Sequence, residues 1–299
     1  MEQDRTMVRK RLIWFVTLTF VITWLIFGQI PLRGLTYGTG VTIYIVMAGM
    51  FVPALCNILT RLITREGFSN MMLGPNFKGH IKDYLLIFFG PTALLLLSVA
   101  VYFLIMPGMF DPQFTVLQEP AARTGVLTAQ TLFLVTLLQV VIIGPIINII
   151  PTLGEELGWR AYLLPKLRLL LSDRWALVVT GIIWGLWHAP VIAMGHNYGT
   201  DYMGYPWLGI LMMVGFCVWL GIIEGYATIK MNSVFPAAMI HSTINAGAGL
   251  AILMAKNGSN PLLGPAITGL IGGLPFIVVA VILLKKAGDN QGTGTVLLP

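Results

Sequence analysis

The stretch 84–106, YLLIFFGPTALLLLSVAVYFLIM, decides the fold class of this chain. It contains no Asp, Glu, Lys or Arg, and it is longer than the roughly 20 apolar residues that a helix needs to cross a bilayer. Similar apolar runs fall at 12–30, 41–60, 126–150, 175–194, 207–229, 234–255 and 261–284. The pattern predicts an all-α, polytopic membrane helical bundle with about eight transmembrane helices.

The composition agrees with this fold class. Of the 299 residues, 57% are hydrophobic and only 10% are charged, whereas about a quarter of the residues in an average soluble domain are charged. A soluble enzyme, a disordered chain and a disulfide scaffold are therefore excluded. Cys56 and Cys217 lie in apolar runs and are typical of small hydrophobic side chains. We see no repeat or linker, so we expect one integral membrane domain over 1–299, with the polar motifs in a core of about 126–255.

The basic residues are divided unevenly between the two sides of the predicted bundle. The side that carries both termini holds Arg5, Arg9, Lys10, Arg11, Arg61, Arg65, Lys78, Lys82, Arg160, Lys166, Arg168, Arg174, Lys230, Lys285 and Lys286, and the other side holds only Arg33, Arg123 and Lys256. Because cytoplasmic loops are rich in Lys and Arg, this predicts a multi-pass protein with both termini in the cytoplasm, in the plasma membrane if the source is prokaryotic. The net charge of +6 is then explained by basic loops beside the lipid bilayer, which is the expected partner of the protein. No nucleic-acid partner is expected.

The segment Gly154–Leu171 mixes charged and apolar residues, and we interpret it as an interfacial extension of the fourth span. Glu155 and Glu156 are adjacent, so on a helix they point about 100° apart and cannot share a face. Glu156 is four residues before Arg160, a spacing that favours an ion pair. We therefore predict a structural clamp between Glu156 and Arg160, and a chemically available carboxylate at Glu155. The alternative is an ordinary charged interfacial turn.

Two further apolar runs carry hydrogen-bonding side chains. His188 follows Trp184 by one helical turn, and Pro190 comes two residues later, where it removes a backbone donor. His241 and Asn245 are four residues apart and lie on one helix face, where both can donate hydrogen bonds to an oxyanion. Polar groups of this kind also hold membrane helices together, so a purely structural role stays open for each pair.

The three segments taken together favour chemistry. Ionisable groups at membrane depth are costly, and they cost least when they share one water-filled cavity. There a carboxylate and a histidine could activate water, while a second histidine and an asparagine face the reacting carbonyl. This constellation fits hydrolysis of an amide. Glu224, inside the apolar run 218–229, is expected to pair with Lys230 or an inward histidine, and His80 and His196 are expected in solvated loops.

The motifs Glu155-Glu156-x-x-x-Arg160, Trp184-x-x-x-His188 and His241-x-x-x-Asn245 resemble those of the CPBP family. This family is also called ABI, and it includes the type II CAAX prenyl endopeptidases. The resemblance covers about 155–245. Its second motif usually begins with Phe, so Trp184 is a conservative departure, and Glu224 lies outside the pattern.

This resemblance implies a CAAX prenyl protease-like intramembrane endopeptidase with an internal cavity open to the cytoplasm. It also implies that Glu155 and His188 activate water while His241 and Asn245 hold the oxyanion. The expected substrate is a prenylated, CaaX-type C-terminus or another membrane-associated protein.

Some alternatives stay open at this point. Metal-free water activation is favoured, and no cofactor is expected, because Asn245 is a poor zinc ligand; if a zinc site exists, its ligands are Glu155, His188 and His241. A His-Glu-x-x-His signature is absent from the sequence. The rival functions are a transporter with a proton pathway through Glu224, His188 and His241, and a non-catalytic membrane scaffold.

Overall fold

The computed structural model describes residues 2–288, with side chains from Asp4 onward, and within that range it is built of helices. Within these residues, an isolated antiparallel β-bridge joins Phe110 and Ala255. The all-α prediction is confirmed. The prediction of a single domain over 1–299 stays a prediction.

The helices follow one another along the chain with short connections. They are α1 (Glu2–Leu32), α2 (Val41–Ile63), α3 (Ile81–Ile105), α4 (Thr115–Thr124), α5 (Ala129–Ile142), α6 (Gly144–Ile147), α7 (Ile149–Gly158), α8 (Leu164–Arg168), α9 (Asp173–Trp187), α10 (Ala189–Ile192), α11 (Trp207–Met231), α12 (Phe235–Gly247) and α13 (Leu274–Lys286). A π-helical turn, Trp159–Leu163, joins α7 to α8. Single 3-10 turns lie at Pro107–Met109 and Ile252–Met254.

Among the described residues, five helices are long and apolar enough to cross a membrane. They are Asp4–Leu32, Val41–Ile63, Ile81–Ile105, Trp207–Met231 and Phe235–Met254. A sixth is added if α4 and α5, which meet at 90°, count as one span. The chain is thus an integral, multi-pass membrane protein, as predicted. The count of eight spans stays a prediction.

Three of the eight apolar runs are interrupted rather than continuous. The run 126–150 is divided into α5, α6 and α7, with Pro145 in α6. The run 175–194 breaks at His188, directly before α10, which contains Pro190. A proline lacks the backbone N–H that a continuous helix requires, so each break has a local cause. In the run 261–284 the helix begins only at Leu274.

Helices α9 and α11 approach each other closely through two glycines one turn apart. A Cβ atom added to Gly181 would lie 2.5 Å from the Cα of Val218, and one added to Gly185 would lie 2.5 Å from the Cα of Val214. Distances this short leave no room for a side chain. Small residues at such a contact let membrane helices pack backbone to backbone, and this packing fixes where α9 ends at the cavity.

The same device attaches α7 to α2. A Cβ atom on Gly154 would lie 2.8 Å from the carbonyl oxygen of Met50, and one on Gly158 would lie 2.4 Å from the Cβ of Pro53. Helix α7 carries Glu155 and Glu156, so its contact with α2 determines how deep both carboxylates lie in the bundle.

The molecule has two chemically different ends. At one end, which we call the basic end, Arg11 Nε lies 3.2 Å from Glu66 Oε2, and Lys166 also pairs with Glu66. Lys230 Nζ at this end lies 2.6 Å from Asp83 Oδ1. The other end, which we call the loop end, consists of residues 33–40, 106–128, 193–206 and 248–273.

The interpretation of 154–171 as an interfacial extension stays a prediction, but the central part of this segment is packed inside the bundle. Trp159, Arg160 and Tyr162 are fully buried, each 0% exposed. They are packed inside the bundle because the guanidinium of Arg160 has buried carboxylate partners within the protein, so its charge does not need a polar interface.

Candidate active site

A cavity of about 250 Å³ lies inside the bundle and brings the three motifs together. Its walls include Glu155 from α7, His188 from the junction of α9 and α10, and His241 and Asn245 from α12. The first three side chains are buried, and Asn245 is exposed. Four residues separated by up to 90 positions in the sequence therefore face one space.

Glu155 is held by the tryptophan that begins the second motif. Trp184 Nε1 donates a hydrogen bond of 2.8 Å to Glu155 Oε2, and both side chains are buried. This bond fixes the orientation of the carboxylate. Glu155 Oε1 is then the oxygen that can accept a proton in the cavity. Trp184 is thus a positioning residue, a role that its place at the head of the motif did not reveal.

His188 occupies the point at which α9 ends. Its Nδ1 lies 3.0 Å from the carbonyl oxygen of Trp184, a distance at which Nδ1–H donates to that carbonyl. Nε2 is then the acceptor nitrogen. The ring packs edge-on against Trp187, with centroids 4.7 Å apart. The break before Pro190 turns the chain here, so His188 stands at the cavity wall rather than inside a continuous helix.

His241 is oriented by a carboxylate. Its Nδ1 lies 2.8 Å from Glu156 Oε1, and its ring packs edge-on against Trp184 with centroids 5.2 Å apart. Because Nδ1 is engaged with Glu156, Nε2 is the nitrogen that can act in the cavity. Asn245 follows one turn later on α12 and lines the same wall.

The predicted clamp of Glu156 and Arg160 includes a third residue, Glu224, and we use the name for all three residues. The clamp lies next to this wall. Arg160 Nη1 donates to Glu156 Oε1 at 2.9 Å, and Arg160 Nη2 forms an ion pair with Glu224 Oε2. All three side chains are 0% exposed. The guanidinium also stacks on Trp184, with Cζ 4.1 Å from the ring centroid. The i, i+4 pair expected from the spacing is present.

Glu224 differs from the expectation for it. Its partner is Arg160, whereas Lys230 contacts Asp83 at the basic end. The reason is depth: Lys230 is close to the end of α11, where its side chain is half exposed, while Glu224 is two turns deeper and faces the buried π-helical turn. The sequence did not connect Glu224 with the first motif.

Metal ligation can be tested against the positions of the donor atoms. Within residues 2–288, one group of three possible metal ligands has its donor atoms within 4.8 Å of one another. It consists of Glu156, Glu224 and His241. This is not the expected zinc set of Glu155, His188 and His241. In the observed grouping, the guanidinium of Arg160 already contacts both carboxylates and supplies the balancing positive charge. The donor set therefore does not fit an additional cation.

His196 and Tyr37 belong to the cavity, although neither was predicted there. The His196 ring is parallel to that of His188, 4° apart with centroids at 6.4 Å, and the Tyr37 hydroxyl lies 2.6 Å from His196 Nδ1. Burial lowers the pKa of His196 to about 4 and raises the pKa of Tyr37 to about 12. The expectation that His196 is solvated was wrong, because its ring lies in the cavity lining beside His188 and Tyr37.

The cavity lies toward the loop end of the molecule. Tyr37, His196 and Asn197, from two connections at that end, form part of its lining. The basic residues predicted to face the cytoplasm lie at the opposite end. The predictions that both termini and the cavity opening face the cytoplasm stay predictions.

Comparisons with known proteins agree with the motifs. The chain matches the model of the family described as type II CAAX prenyl endopeptidase Rce1-like over residues 124–247, a range that contains all seven named motif residues. It is also 25% identical over 237 residues to the CAAX prenyl protease 2 of Methanococcus maripaludis, an alignment that covers 76% of this chain and 80% of that protein. Both findings support a CAAX protease-like family. The chain is thus similar to CAAX prenyl proteases, which are membrane hydrolases.

Proposed function

We propose that this protein is an intramembrane endopeptidase that uses Glu155 and His188 to activate water and His241 and Asn245 to hold the oxyanion. The observation that carries the proposal is that these four side chains, from three separate segments, line one cavity. Ionisable and amide groups at membrane depth are costly unless they share a polar space, so their convergence favours a catalytic role over four separate structural ones.

The water-activating half of the site is Glu155 with His188. Glu155 Oε1 accepts a proton from water as the water oxygen attacks the carbonyl carbon of the substrate. The resulting tetrahedral intermediate carries a negative charge on the former carbonyl oxygen. When the C–N bond breaks, the protonated carboxyl group returns that proton to the leaving amine. His188 Nε2 accepts a hydrogen bond from the same water and orients it.

The oxyanion half of the site is His241 with Asn245. The amide nitrogen of Asn245 is a donor in any protonation state. His241 donates through Nε2 while Nδ1 is engaged with Glu156, which requires both ring nitrogens to be protonated, and a carboxylate partner stabilises that form. Glu156 thus acts through His241 and Arg160 as a positioning residue. Donors fixed in advance are worth most in a site that excludes bulk water.

The substrate we propose is a membrane-associated protein cut near its C-terminus, either prenylated in the CaaX manner or anchored in another way. The cavity wall is apolar along α2 and α12, where Val46, Met50 and Ile244 line it. An apolar wall next to catalytic polar groups suits a peptide that carries an attached lipid or a hydrophobic segment.

The test uses purified protein in detergent with prenylated and unprenylated CaaX peptides, read by mass spectrometry. We expect Glu155→Gln and His188→Ala to reduce cleavage about 100-fold to 10,000-fold, the usual contribution of acid–base groups. Glu119→Gln is the matched control, because Glu119 is exposed on α4 at the loop end and should leave the rate unchanged. Cleavage of only the prenylated peptide would identify the substrate class.

Full cleavage by both Glu155→Gln and His188→Ala would overturn the proposal. A proton flux in liposomes that required His188 and Glu224, without any cleavage, would support a transporter instead. Unchanged cellular function in all motif variants would support a scaffold.

A further inference from the structure

We infer that His196, held in place by Tyr37, binds the substrate: its Nε2–H donates a hydrogen bond to a main-chain carbonyl oxygen close to the bond that is cut. Neither residue belongs to the three motifs. The inference rests on the proposed function, because it assigns a further part of the same cavity to the same peptide substrate.

The first observation is where the two residues lie. Tyr37, from the connection after α1, and His196, from the connection after α10, both line the cavity. The ring of His196 is parallel to that of His188, at an angle of 4° and with centroids 6.4 Å apart. One residue of an extended peptide spans about 3.3–3.6 Å. A peptide whose cleaved carbonyl lies beside His188 therefore has main-chain groups within two residues of the cut beside His196.

The contact with Tyr37 determines which nitrogen of His196 carries the ring hydrogen. The Tyr37 hydroxyl lies 2.6 Å from His196 Nδ1. Burial lowers the pKa of His196 to about 4 and raises the pKa of Tyr37 to about 12, so both groups are neutral at pH 7. The phenol holds the more acidic hydrogen of such a pair, so we assign its O–H as the donor and Nδ1 as the acceptor. The ring hydrogen is then on Nε2.

Nε2 of His196 is available to a ligand. In the part of the chain that the structure describes, residues 2–288, no group is hydrogen-bonded to Nε2. A donor in a cavity lining needs an acceptor from water or from a ligand, because an unpaired polar group is costly away from bulk water. Every residue of a bound peptide supplies one such acceptor, its carbonyl oxygen.

The connection that carries His196 is fixed on both sides of this residue. The main-chain nitrogen of His196 donates to the carbonyl oxygen of Val191 at 2.9 Å. The buried Tyr198 donates from its hydroxyl to the carbonyl oxygen of Thr268 at 3.0 Å. A donor that is fixed before binding loses little freedom when the substrate arrives, so it contributes more to affinity than a mobile one.

A purely structural anchor is the alternative, since the bond between Tyr37 and His196 also joins two connections. The two roles differ in the nitrogen that matters. An anchor needs only Nδ1, which contacts Tyr37, whereas substrate binding needs a donor at Nε2. An asparagine amide lies near the position of Nδ1, and a glutamine amide, one methylene further out, lies near that of Nε2. His196→Asn and His196→Gln therefore separate the two roles.

The test is steady-state cleavage by the purified full chain in detergent, with the peptide that the wild-type protein cleaves. In His196→Ala and His196→Asn we expect KM to rise about tenfold with kcat nearly unchanged, because a hydrogen bond made in both the ground state and the transition state is lost. In His196→Gln we expect KM to stay close to that of the wild-type protein. His80→Ala, whose histidine pairs with Asp83 outside the cavity, is the matched control.

Tyr37→Phe tests whether Tyr37 acts through His196. The change removes the hydroxyl that fixes the ring hydrogen on Nε2, so KM should rise by about threefold. In the His196→Ala background the same change should have no further effect, since coupled residues are not additive. Tyr44→Phe, at an exposed position of α2, is the control.

A second measurement separates binding from turnover. The Glu155→Gln protein should bind the peptide without cutting it, so the dissociation constant can be measured by fluorescence anisotropy of a labelled peptide. Adding His196→Asn to this protein should raise the dissociation constant about tenfold, and adding His196→Gln should not. The unfolding temperatures of all variants are recorded on the same samples.

Unchanged KM values in both His196→Ala and His196→Asn would overturn the inference and leave the proposed function intact. Equal losses in His196→Asn and His196→Gln that follow the unfolding temperature would also overturn it, in favour of the anchor. A lower kcat with unchanged KM would do the same, because it would assign His196 to the chemical steps. If the wild-type protein cleaves none of the peptides, the proposed function fails, and the inference falls with it.

Discussion

Glu155 and Glu156 are neighbours in the sequence and have the same side chain, yet they belong to different parts of the molecule. Glu155 lines the cavity and accepts a hydrogen bond from the Trp184 indole. Glu156 is fully buried in the clamp, where it contacts Arg160 and His241. The rotation of about 100° between adjacent residues of a helix is enough to separate them.

Buried charges therefore serve two different purposes in this protein. In the clamp every charge has an opposite charge beside it, so removal of one partner leaves an uncompensated charge in a low-dielectric interior. At the cavity, Glu155 is held by a neutral donor, so its loss leaves no unpaired cation. Substitutions in the clamp should therefore destabilise the fold, and substitutions at the cavity should reduce the reaction while the fold survives.

The largest expected effect on stability comes from Arg160→Met. This change leaves Glu156 and Glu224 buried without their guanidinium, and breaking such a pair costs about 3–5 kcal/mol. We expect a strong fall in the unfolding temperature in detergent, measured by intrinsic fluorescence, and a low yield of folded protein.

Arg123→Met is the matched control for this change. Arg123 forms the same i, i+4 ion pair with Glu119, but both side chains are exposed, so its loss should not be measurable. Equal unfolding temperatures for Arg160→Met and Arg123→Met would contradict the role given to the clamp.

Asn245→Ala should affect catalysis and not stability. Its side chain is exposed to the cavity, and loss of one oxyanion donor typically lowers kcat about 100-fold to 1,000-fold. We expect kcat to fall with KM nearly unchanged, and the unfolding temperature to match that of the wild-type protein. Asn257→Ala, at an exposed position of the loop end, is the control. A raised KM with unchanged kcat would assign Asn245 to substrate binding instead.

A smaller effect concerns pH. Burial lowers the pKa of His196 to about 4, whereas an unfolded chain takes up this proton near pH 6.5. The unfolded state therefore binds more protons in this window, and stability falls as the pH drops from about 6.5 to about 4. In His196→Gln this contribution is absent.

The measurement is the unfolding temperature between pH 7 and pH 4 for the wild-type protein, His196→Gln and the control His80→Gln. We expect a shallower decline for His196→Gln than for the other two, by a few degrees. Identical declines in all three proteins would show that His196 is not held neutral by the fold.

The smallest expected effect is that of chelation. Because Arg160 supplies the positive charge between Glu156 and Glu224, we propose that the site needs no metal ion. Treatment with EDTA followed by buffer exchange should leave kcat/KM unchanged. Elemental analysis of the same sample provides the metal content. Loss of cleavage with EDTA and its recovery with zinc would contradict this proposal.

Much of the site could be predicted from the sequence because its residues recur at helical spacing. The separation of four between Glu156 and Arg160, and between His241 and Asn245, places each pair on one face. Glu224, His196 and Tyr37 have no such spacing to the motifs. Each reaches the site through contacts across helices or connections, and no local pattern encodes those contacts.

The fold could be predicted to the level of its class. Long apolar runs without charge identify spanning helices, because an exposed backbone is not tolerated in lipid. The breaks at Pro145 and at His188 were harder to predict. A proline in a membrane helix leaves backbone groups unpaired, and when neighbouring helices satisfy those groups the helix can continue without a break. Neither of the two runs that contain these breaks forms one continuous helix long enough to cross a membrane.

The amino-acid sequence alone identifies a membrane protein, its candidate catalytic residues and its basic end. These properties depend on composition and local spacing, and they need no knowledge of packing. Three-dimensional packing was needed to show that Arg160 joins Glu156 to Glu224, that Trp184 holds Glu155, and that Tyr37 and His196 line the cavity. The physical reason is that each of these depends on which helix faces meet, and close contacts such as Gly181 with Val218 select those faces.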